Sequence, residues 1–317
     1  MKAPLLQVDQ LRVQLPSPRG TVHAVRDASF TVAQGEMLAV VGESGCGKSV
    51  TAQALMNLLP PAAEVSAAAA LFDGQPLLVG HYPRGMAMVF QNPMATFNPV
   101  LTVGYQIAEP LRVLHGYTRH DAEREAVRLL ERMQVRDAAQ KAHRYAHEFS
   151  GGMLQRAAIA MALACKPLLL LADEPTTALD VSTQHEVMQL LAELRSEQQL
   201  GILFITHDLG LVERHANRVA VMYAGQIIET AATSNVISTP QHPYTQALLA
   251  ALPAHNRGKR LYSLEGSPPD LRQPPPACAF TARCPQAMAH CSTQSPPVMA
   301  DSQHARCWLH AGDLCDD

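Results

Sequence analysis

The chain has 317 residues, of which 47% are hydrophobic and 17% charged, so it is long enough to bury a substantial core in one large or two modest domains. Its formal net charge of −3 provides no basic surface for nucleic acid, and we expect no nucleic-acid partner. The sequence lacks the apolar core of a signal peptide and any uninterrupted apolar run of about eighteen residues. We therefore expect a protein that is not secreted and does not span a membrane by itself.

The N-terminal part predicts strands followed by a helix. Alternating or continuous apolar residues predict strands, and a later apolar spacing of three to four residues predicts a helix stopped by Pro60 and Pro61. These patterns fall at residues 5–15, 22–32, 37–41 and 48–59. Residues 62–77 carry conflicting signals, because their alanines favour a helix whereas the flanking turn residues favour strands.

The rest of the chain predicts three regions. Two helical patterns within about 92–165 indicate a helical subdomain, and strands then alternate with helices up to residue 230, which is typical of a mainly parallel sheet covered on both faces. The composition changes after Thr239, and proline becomes frequent from Ser267. We therefore predict an α/β domain over residues 1–240, with the helical subdomain inside it, and a C-terminal extension over residues 241–317.

A phosphate-binding loop is predicted at "GESGCGKS", which fits G-x-x-x-x-G-K-S/T between a buried strand and a helix. Glycines let backbone N–H groups surround phosphate oxygens, Lys48 reaches the β- and γ-phosphates, and Ser49 offers a ligand to Mg²⁺. The predicted nucleotide-binding residues are Gly42, Glu43, Ser44, Gly45, Cys46, Gly47, Lys48, Ser49 and Val50.

Two acidic residues end the buried strand in "LLLLADEP". Asp173 at the carboxyl end of this strand can hold Mg²⁺ directly or through water. Glu174 can polarise the water that attacks the γ-phosphate, so it is the candidate general base.

Further motifs give the chain a family resemblance. "VFQNP" contains Gln91, "FSGGM" contains Ser150, Gly151 and Gly152, "TALD" ends at Asp180, and "ITHD" contains His207. With the phosphate loop and the acidic pair, these motifs resemble the ATP-binding subunits of ABC transporters over essentially the whole chain. The resemblance implies a P-loop ABC-type nucleotide-binding domain, with a mainly parallel sheet core, an antiparallel β part, a helical subdomain and a small cysteine-containing extension.

The resemblance also implies roles for individual residues. Gln91 would sense Mg²⁺ and the attacking water, and His207 would be the switch histidine. Ser150, Gly151 and Gly152 would bind the γ-phosphate of ATP held by the opposite subunit, so that the site is completed only in a dimer. The chain departs from the family pattern at Met153, where glutamine is usual. It also lacks a Phe, Tyr or Trp at 17–25 to stack on adenine, so Arg19 and His23 are the alternatives and the adenine contact is not assigned.

A narrower resemblance involves "FNPVLTVGYQIAEPL", "HPYTQALLAALP" and "GSPPDL", which are similar to subunits of oligopeptide, dipeptide and nickel or metallophore importers. It implies a second related ATPase, two transmembrane permeases, an extracytoplasmic solute-binding protein and a peripheral location on the cytoplasmic face of the inner membrane. Peptide import is the first hypothesis, and nickel or metallophore import is the alternative. A soluble ABC ATPase of DNA repair or translation is a hypothesis of a different class.

Four cysteines near the C-terminus have the spacing C-x₅-C-x₆-C-x₁₅-C, namely Cys278, Cys284, Cys291 and Cys307, and Cys315 follows. This spacing lacks the tight pairs of structural zinc sites but is compatible with an iron–sulfur cluster. Zinc, with help from nearby histidines (His290, His304 and His310), and unmetallated thiols are the alternatives. Some members of the resembling subfamily bind a 4Fe–4S cluster through four such cysteines, so the expected cofactors are ATP, Mg²⁺ and this cluster.

Overall fold

The computed structural model describes residues 3–78, 80, 82–177, 179–252, 264–298 and 303–311. The chain divides into two compact units, and each is described by itself. The first comprises Met1–Ala33, Met37–His81 and Ile205–Asp317, and the second comprises Gln34–Glu36 and Tyr82–Phe204. The predicted boundary between residues 240 and 241 stays a prediction.

The strands and helices follow one another in α/β fashion. The strands are β1 (Leu6–Leu15), β2 (Val22–Val32), β3 (Met37–Val41), β4 (Glu64–Ser66), β5 (Ala69–Phe72), β6 (Gln75–Pro76), β7 (Met86–Val89), β8 (Leu169–Asp173), β9 (Gly201–Thr206), β10 (Arg218–Tyr223) and β11 (Gln226–Ala232). The helices are α1 (Lys48–Leu55), α2 (Pro93–Thr96), α3 (Val103–His115), α4 (Arg119–Arg132), α5 (Ala138–Lys141), α6 (Gly151–Ala164), α7 (Val181–Gln198), α8 (Leu209–His215), α9 (Thr233–Ser238) and α10 (Pro243–Ala250).

The first unit contains a mixed sheet in the order β6-β5-β1-β2-β11-β10-β3, with β4 also paired to β1. Strand β3 pairs parallel with β10, and β2 pairs parallel with β11, whereas β1 pairs antiparallel with β2, β4 and β5. All five residues of β3 are buried, which explains its continuous apolar sequence. The predicted α/β class with parallel and antiparallel parts is confirmed.

Residues 62–77 form strands β4, β5 and β6 rather than a helix. Strand β5 alternates half-buried and buried residues, and Phe72 pairs with Leu6 across the ladder to β1. Pairing and burial on one face therefore override the helix propensity of the alanines.

The second unit carries the helices α2 to α7 together with a small parallel sheet. Strand β7 pairs parallel with β8, and β9 lies beside β8. Helix α6 is buried along most of its length, and Arg156 on it bonds the carbonyl of Met133 at 3.1 Å and pairs with Glu186 of α7. These contacts hold α6 against its neighbours.

The C-terminal extension contains short 3₁₀ helices and packs within the first unit. Its 3₁₀ helices are Thr281–Arg283, Ala289–Ser292 and Trp308–His310. The fully buried carboxylate of Glu229 on β11 accepts hydrogen bonds from the backbone N–H groups of Gln241 and His242 and from the side-chain amide of Gln303, at 2.8–2.9 Å. One buried acid therefore ties the extension and the start of α10 to the sheet. In the described part of the chain, no helix is long and apolar enough to cross a bilayer.

Candidate functional site: a phosphate loop, an acidic strand end and a cysteine cavity

The phosphate loop joins β3 to α1, and its glycines are required by close backbone packing. Gly42 and Gly47 have φ values of 156° and 107°, and a Cβ atom at these positions would lie 2.1 Å from the carbonyl oxygen of Met222 and 2.4 Å from that of Ala24. Helix α1 begins after Gly47, which provides no side-chain cap for the first N–H groups. Uncapped N–H groups at a helix N-terminus are able to bind an anion, so this geometry is compatible with the predicted phosphate site.

Lys48 is held at this loop by backbone oxygens. Its side-chain amine, in a residue only 5% exposed, donates to the carbonyls of Gly42 at 2.8 Å and Glu43 at 3.0 Å. The backbone N–H of Glu43 donates to the Tyr244 hydroxyl at 2.9 Å. Cys46 is also buried, and burial raises the pKa of its thiol, so this cysteine remains a neutral thiol.

The acidic pair lies in the second unit, at the carboxyl end of β8. Asp173 is 3% exposed and ends the strand, whereas Glu174 has a left-handed backbone with a φ of 44°. The Glu174 carboxylate accepts from Gln91 Nε2 at 3.1 Å and from the Thr177 hydroxyl at 2.7 Å. The structure thus brings together the predicted general base and the predicted glutamine-loop residue.

The signature segment caps helix α6. The hydroxyl of Ser150 accepts from the backbone N–H of Met153 at 3.4 Å, and Ser150 has the extended backbone of an N-cap residue. Gly152 lies against helix α7, since a Cβ there would come within 2.7 Å of Thr183 Cγ2. Gly151 has open space around its Cα. Ser150 and Gly151 are exposed, and their predicted role in phosphate binding stays a prediction.

His207 follows β9 in the first unit and is exposed. Its neighbour Asp208 caps helix α8 by accepting from the N–H groups of Gly210 and Leu211 at 2.8 and 3.2 Å. Asp208 therefore has a structural role as the N-cap of the helix that follows His207. Asp180 of the predicted D-loop likewise caps α7, and the Thr183 N–H lowers the pKa of its carboxyl. Ala178 of this motif lies outside the described residues.

Four cysteines of the extension line one cavity, namely Cys278, Cys284, Cys291 and Cys307. The other lining residues are mostly apolar or aromatic, with three polar ones among them: Pro243, Phe280, Met288, Trp308 and Leu309, and His242, Thr281 and Gln286. The backbone N–H of Cys278 donates to the carbonyl of Cys291 at 3.1 Å. The Thr281 hydroxyl lies 2.8 Å from the carbonyl oxygen of Cys278 and 2.8 Å from that of Cys291. These hydrogen bonds hold the segment that begins at Cys278 against the backbone of Cys291.

Among the described residues, these cysteines form no disulfide. Burial raises the pKa of Cys284, and it raises the pKa of Cys307 to about 11, so a neutral thiol is favoured unless a cation compensates for the lost hydration. Among the described residues, no three His, Cys, Asp or Glu side chains are placed to hold a metal ion. Cys315 lies outside the described part of the chain.

Two contacts to the phosphate loop were not expected from the motifs. Tyr244 belongs to "HPYTQALLAALP", a segment that contributes to the sequence prediction only as part of the family resemblance. The Tyr244 hydroxyl contacts Glu43. Arg283 lies between two of the cysteines, and its guanidinium pairs with the Glu43 carboxylate at 2.9 Å. No short sequence motif predicts this ion pair, because Glu43 and Arg283 are 240 residues apart.

The fold and the phosphate loop define a P-loop protein of the ATP-binding-cassette class. A family model described as ABC transporter matches residues 25–177. Another, described as oligopeptide/dipeptide transporter, C-terminal region, matches residues 228–291. A solved structure, cbiO1 from Clostridium perfringens, part of the ABC transporter complex cbiONQ, is 27% identical with a TM-score of 0.62, covering 75% of this chain and 92% of that one.

Full-length relatives narrow the assignment. The dipeptide transport ATP-binding protein DppD of Bacillus subtilis (strain 168) is 44% identical, covering 96% of this chain and 94% of the relative. DppD of Escherichia coli (strain K12) is 42% identical, covering 96% of each chain. The chain belongs to the ABC transporter ATP-binding proteins that carry the oligopeptide/dipeptide C-terminal region, and it is therefore an ATPase.

Proposed function

We propose that the chain powers the import of di- or oligopeptides across the cytoplasmic membrane by hydrolysing ATP. The observation that carries this proposal is the similarity to dipeptide transport ATP-binding proteins along 96% of the chain, including its C-terminal region. We place the protein on the cytoplasmic face, beneath two permeases supplied by an extracytoplasmic binding protein, with a second related ATPase as partner.

In the proposed site, backbone N–H groups of residues 42–50 surround the phosphates, while Lys48 neutralises charge on the β- and γ-phosphates. Ser49, Asp173 and Gln91 would hold Mg²⁺, which supplies charge stabilisation when bound. Glu174 would accept the proton of the attacking water, and His207 would orient the γ-phosphate. Ser150, Gly151 and Gly152 would bind the γ-phosphate of the partner's ATP.

The bond between Gln91 and Glu174 supports the assignment of the general base. A carboxylate that accepts hydrogen bonds from Gln91 and Thr177 has a fixed orientation. The left-handed backbone of Glu174 is a conformation that non-glycine residues seldom adopt, and such positions are concentrated at functional sites.

We further propose that the four-cysteine cavity holds a 4Fe–4S cluster. The donors fit this group, because four thiols share one cavity whose other walls are largely apolar and aromatic. A single zinc ion is less well matched, because the cysteine spacing lacks the tight C-x₂₋₄-C pairs that are usual in structural zinc sites. A cluster would supply cross-linking to a proline-rich segment too small to form its own core.

Transport is tested in cells that lack this subunit and are supplied with either the unaltered chain or Glu174→Gln. Restoration of labelled dipeptide uptake by the unaltered chain alone supports peptide import. Restoration of nickel uptake without dipeptide uptake would replace it with the nickel alternative. Affinity purification from membranes is expected to recover two polytopic proteins and a second ATPase, whereas recovery with ribosomes or DNA contradicts import.

The cluster is tested by anaerobic purification, an absorbance spectrum and iron and sulfide analysis. We expect a brown protein with about four iron and four sulfide per chain. A colourless, iron-free protein with stoichiometric zinc would establish the zinc alternative. Cys307→Ser should lose iron, whereas Cys165→Ser, outside the cavity, should retain it.

A further inference from the structure

Arg283 forms a bidentate ion pair with a residue of the phosphate loop. Its two terminal nitrogens donate to the two carboxylate oxygens of Glu43, each at 2.9 Å. The Arg283 side chain is 5% exposed and that of Glu43 is 27% exposed. A bidentate pair largely removed from water fixes geometry more strictly than a surface salt bridge, in which long side chains exchange among many arrangements.

The packing around Arg283 holds it in place. Arg283 Nη1 also donates to the Tyr223 hydroxyl at 3.2 Å, and Nε donates to the carbonyl of Glu265 at 3.0 Å. Phe280, on the same short segment, is 1% exposed and packs edge-on against Tyr223 and Tyr244. The Arg283 guanidinium is therefore held beside a packed aromatic cluster, and its remaining hydrogen bonds are to the Glu43 carboxylate.

Glu43 is held at all of its polar groups. Its carboxylate is bound by Arg283, its N–H donates to Tyr244, and its carbonyl accepts from the side-chain amine of Lys48. Lys48, the lysine proposed to contact the phosphates, is thus hydrogen-bonded to Glu43, the residue that Arg283 of the extension binds. A movement of Glu43 would displace both the loop backbone and the resting position of Lys48.

We infer that Arg283 is a positioning residue for ATP binding: by holding Glu43, the cysteine-bearing extension keeps the phosphate loop in the shape that accepts the phosphates. This inference rests on the ATP site proposed above. A loop already held in its binding shape loses less conformational freedom when ATP binds, so the ion pair raises affinity without touching the nucleotide. Arg283 itself takes no part in the chemical step.

The first test measures Mg²⁺–ATP affinity by calorimetry on the full chain carrying Arg283→Ala. We expect the Kd for ATP to rise about tenfold, which is the scale of one charge-assisted hydrogen-bonded contact. Arg272→Ala is the matched control, because Arg272 makes an exposed pair with Asp270 in the same extension, and its Kd should stay within about twofold of the unaltered chain. The KM for ATP should rise with the Kd, while kcat at saturating ATP changes by less than about twofold.

The second test approaches the pair from the loop. Glu43→Gln should weaken ATP binding as Arg283→Ala does, and the double variant should be no weaker than the worse single one, because both changes remove the same contact. Arg283→Lys keeps the charge but not the bidentate geometry, so it should recover only part of the affinity.

Unchanged ATP affinity in a folded Arg283→Ala or Glu43→Gln variant would overturn the inference, even if its melting temperature fell. Additive losses in the double variant would also overturn it. If the unaltered chain itself failed to bind ATP, the proposed function would be wrong instead, so the two failures are distinguishable.

Discussion

At the scale of single residues, positions with constrained backbones or buried charge carry the proposed chemistry. Glu174 has its left-handed backbone directly after β8, and Lys48 is buried against two carbonyls. His242 is buried as well, and its Nδ1 accepts from the Tyr244 N–H at 3.0 Å as the N-cap of α10. Lys48 and His242 are held by contacts within six positions along the chain, whereas Glu174 is also contacted by Gln91, which lies 83 positions away.

Glu174→Gln should bind ATP normally and hydrolyse it at least about a hundredfold more slowly, because a general base contributes on the order of 10² to 10⁴ in rate. The glutamine oxygen can still accept from Gln91, so the change removes the base and preserves the contact. Single-turnover phosphate release and ATP binding should be measured together. Turnover within about threefold of the unaltered chain would exclude Glu174 as the base.

His242 should make the protein acid-sensitive. Burial lowers its pKa to about 3, with a smaller effect from His310, whereas the unfolded chain titrates near 6.5. The unfolded state therefore takes up a proton first, and this residue's contribution to folding stability is lost as the pH falls from about 6.5 towards 3, by about 1.4 kcal/mol per unit.

The measurement for His242 is denaturant unfolding at pH 7.5 and 5.5. His242→Asn keeps a side-chain acceptor for the Tyr244 N–H and cannot titrate. Its stability should fall between the two pH values by about 1.4 kcal/mol less than that of the unaltered chain. Equal losses in the two proteins would show that His242 does not titrate on unfolding.

At the scale of elements, helix ends and helix contacts place the motifs. Ser150, Asp180 and Asp208 are N-caps of α6, α7 and α8, so three segments of family motifs begin helices. The same residues therefore set the geometry of the site and stabilise the fold. Helix α6 also needs a glycine where it meets α7, which explains the second glycine of the signature.

Gly152→Ala should destabilise the protein by about 1 to 3 kcal/mol, because its Cβ would overlap Thr183 Cγ2. Gly151→Ala is the matched control, as its Cβ would meet open space. Thr183→Ser removes the clashing methyl and keeps the hydroxyl that donates to Asp180. Urea unfolding should therefore show rescue in the double variant, and destabilisation by Gly151→Ala equal to that of Gly152→Ala would contradict the steric explanation.

At the scale of the whole molecule, the C-terminal extension is part of the first unit. Arg306 pairs with Asp27 of β2 at 2.8 Å, Arg26 bonds the carbonyl of Pro275, and Phe280 lies among the aromatic rings beneath the phosphate loop. The extension therefore completes the core of the unit that carries the phosphate loop. This structural role does not depend on a bound cluster.

A chain ending at residue 263 should be less stable than the complete chain by at least about 3 kcal/mol, because it loses the burial of Phe280 and two shielded ion pairs. A chain ending at residue 311 is the control, because it keeps all of the described residues of the extension. Urea unfolding followed by circular dichroism compares the three. Equal midpoints for the chains ending at 263 and 311 would show that the extension folds independently of the first unit.

The sequence by itself determined the features that depend on neighbours in the chain. The phosphate loop and the acidic strand end were predictable because each needs only a few adjacent residues with the right backbone freedom or charge. The α/β class followed from periodicity. The strands at 62–77 could not be decided in this way, since alanine favours a helix until β1 provides a partner.

Only the tertiary structure decided which distant residues meet. It brought Gln91 to Glu174, gathered four spaced cysteines around one cavity and set Arg283 against Glu43. Contacts of this kind leave no local periodicity or motif, because they depend on how the sheet and the irregular extension pack. The cysteines indicated a metal site in the sequence. The ion pair between Arg283 and Glu43, which links the cysteine segment to the phosphate loop, depends on long-range packing.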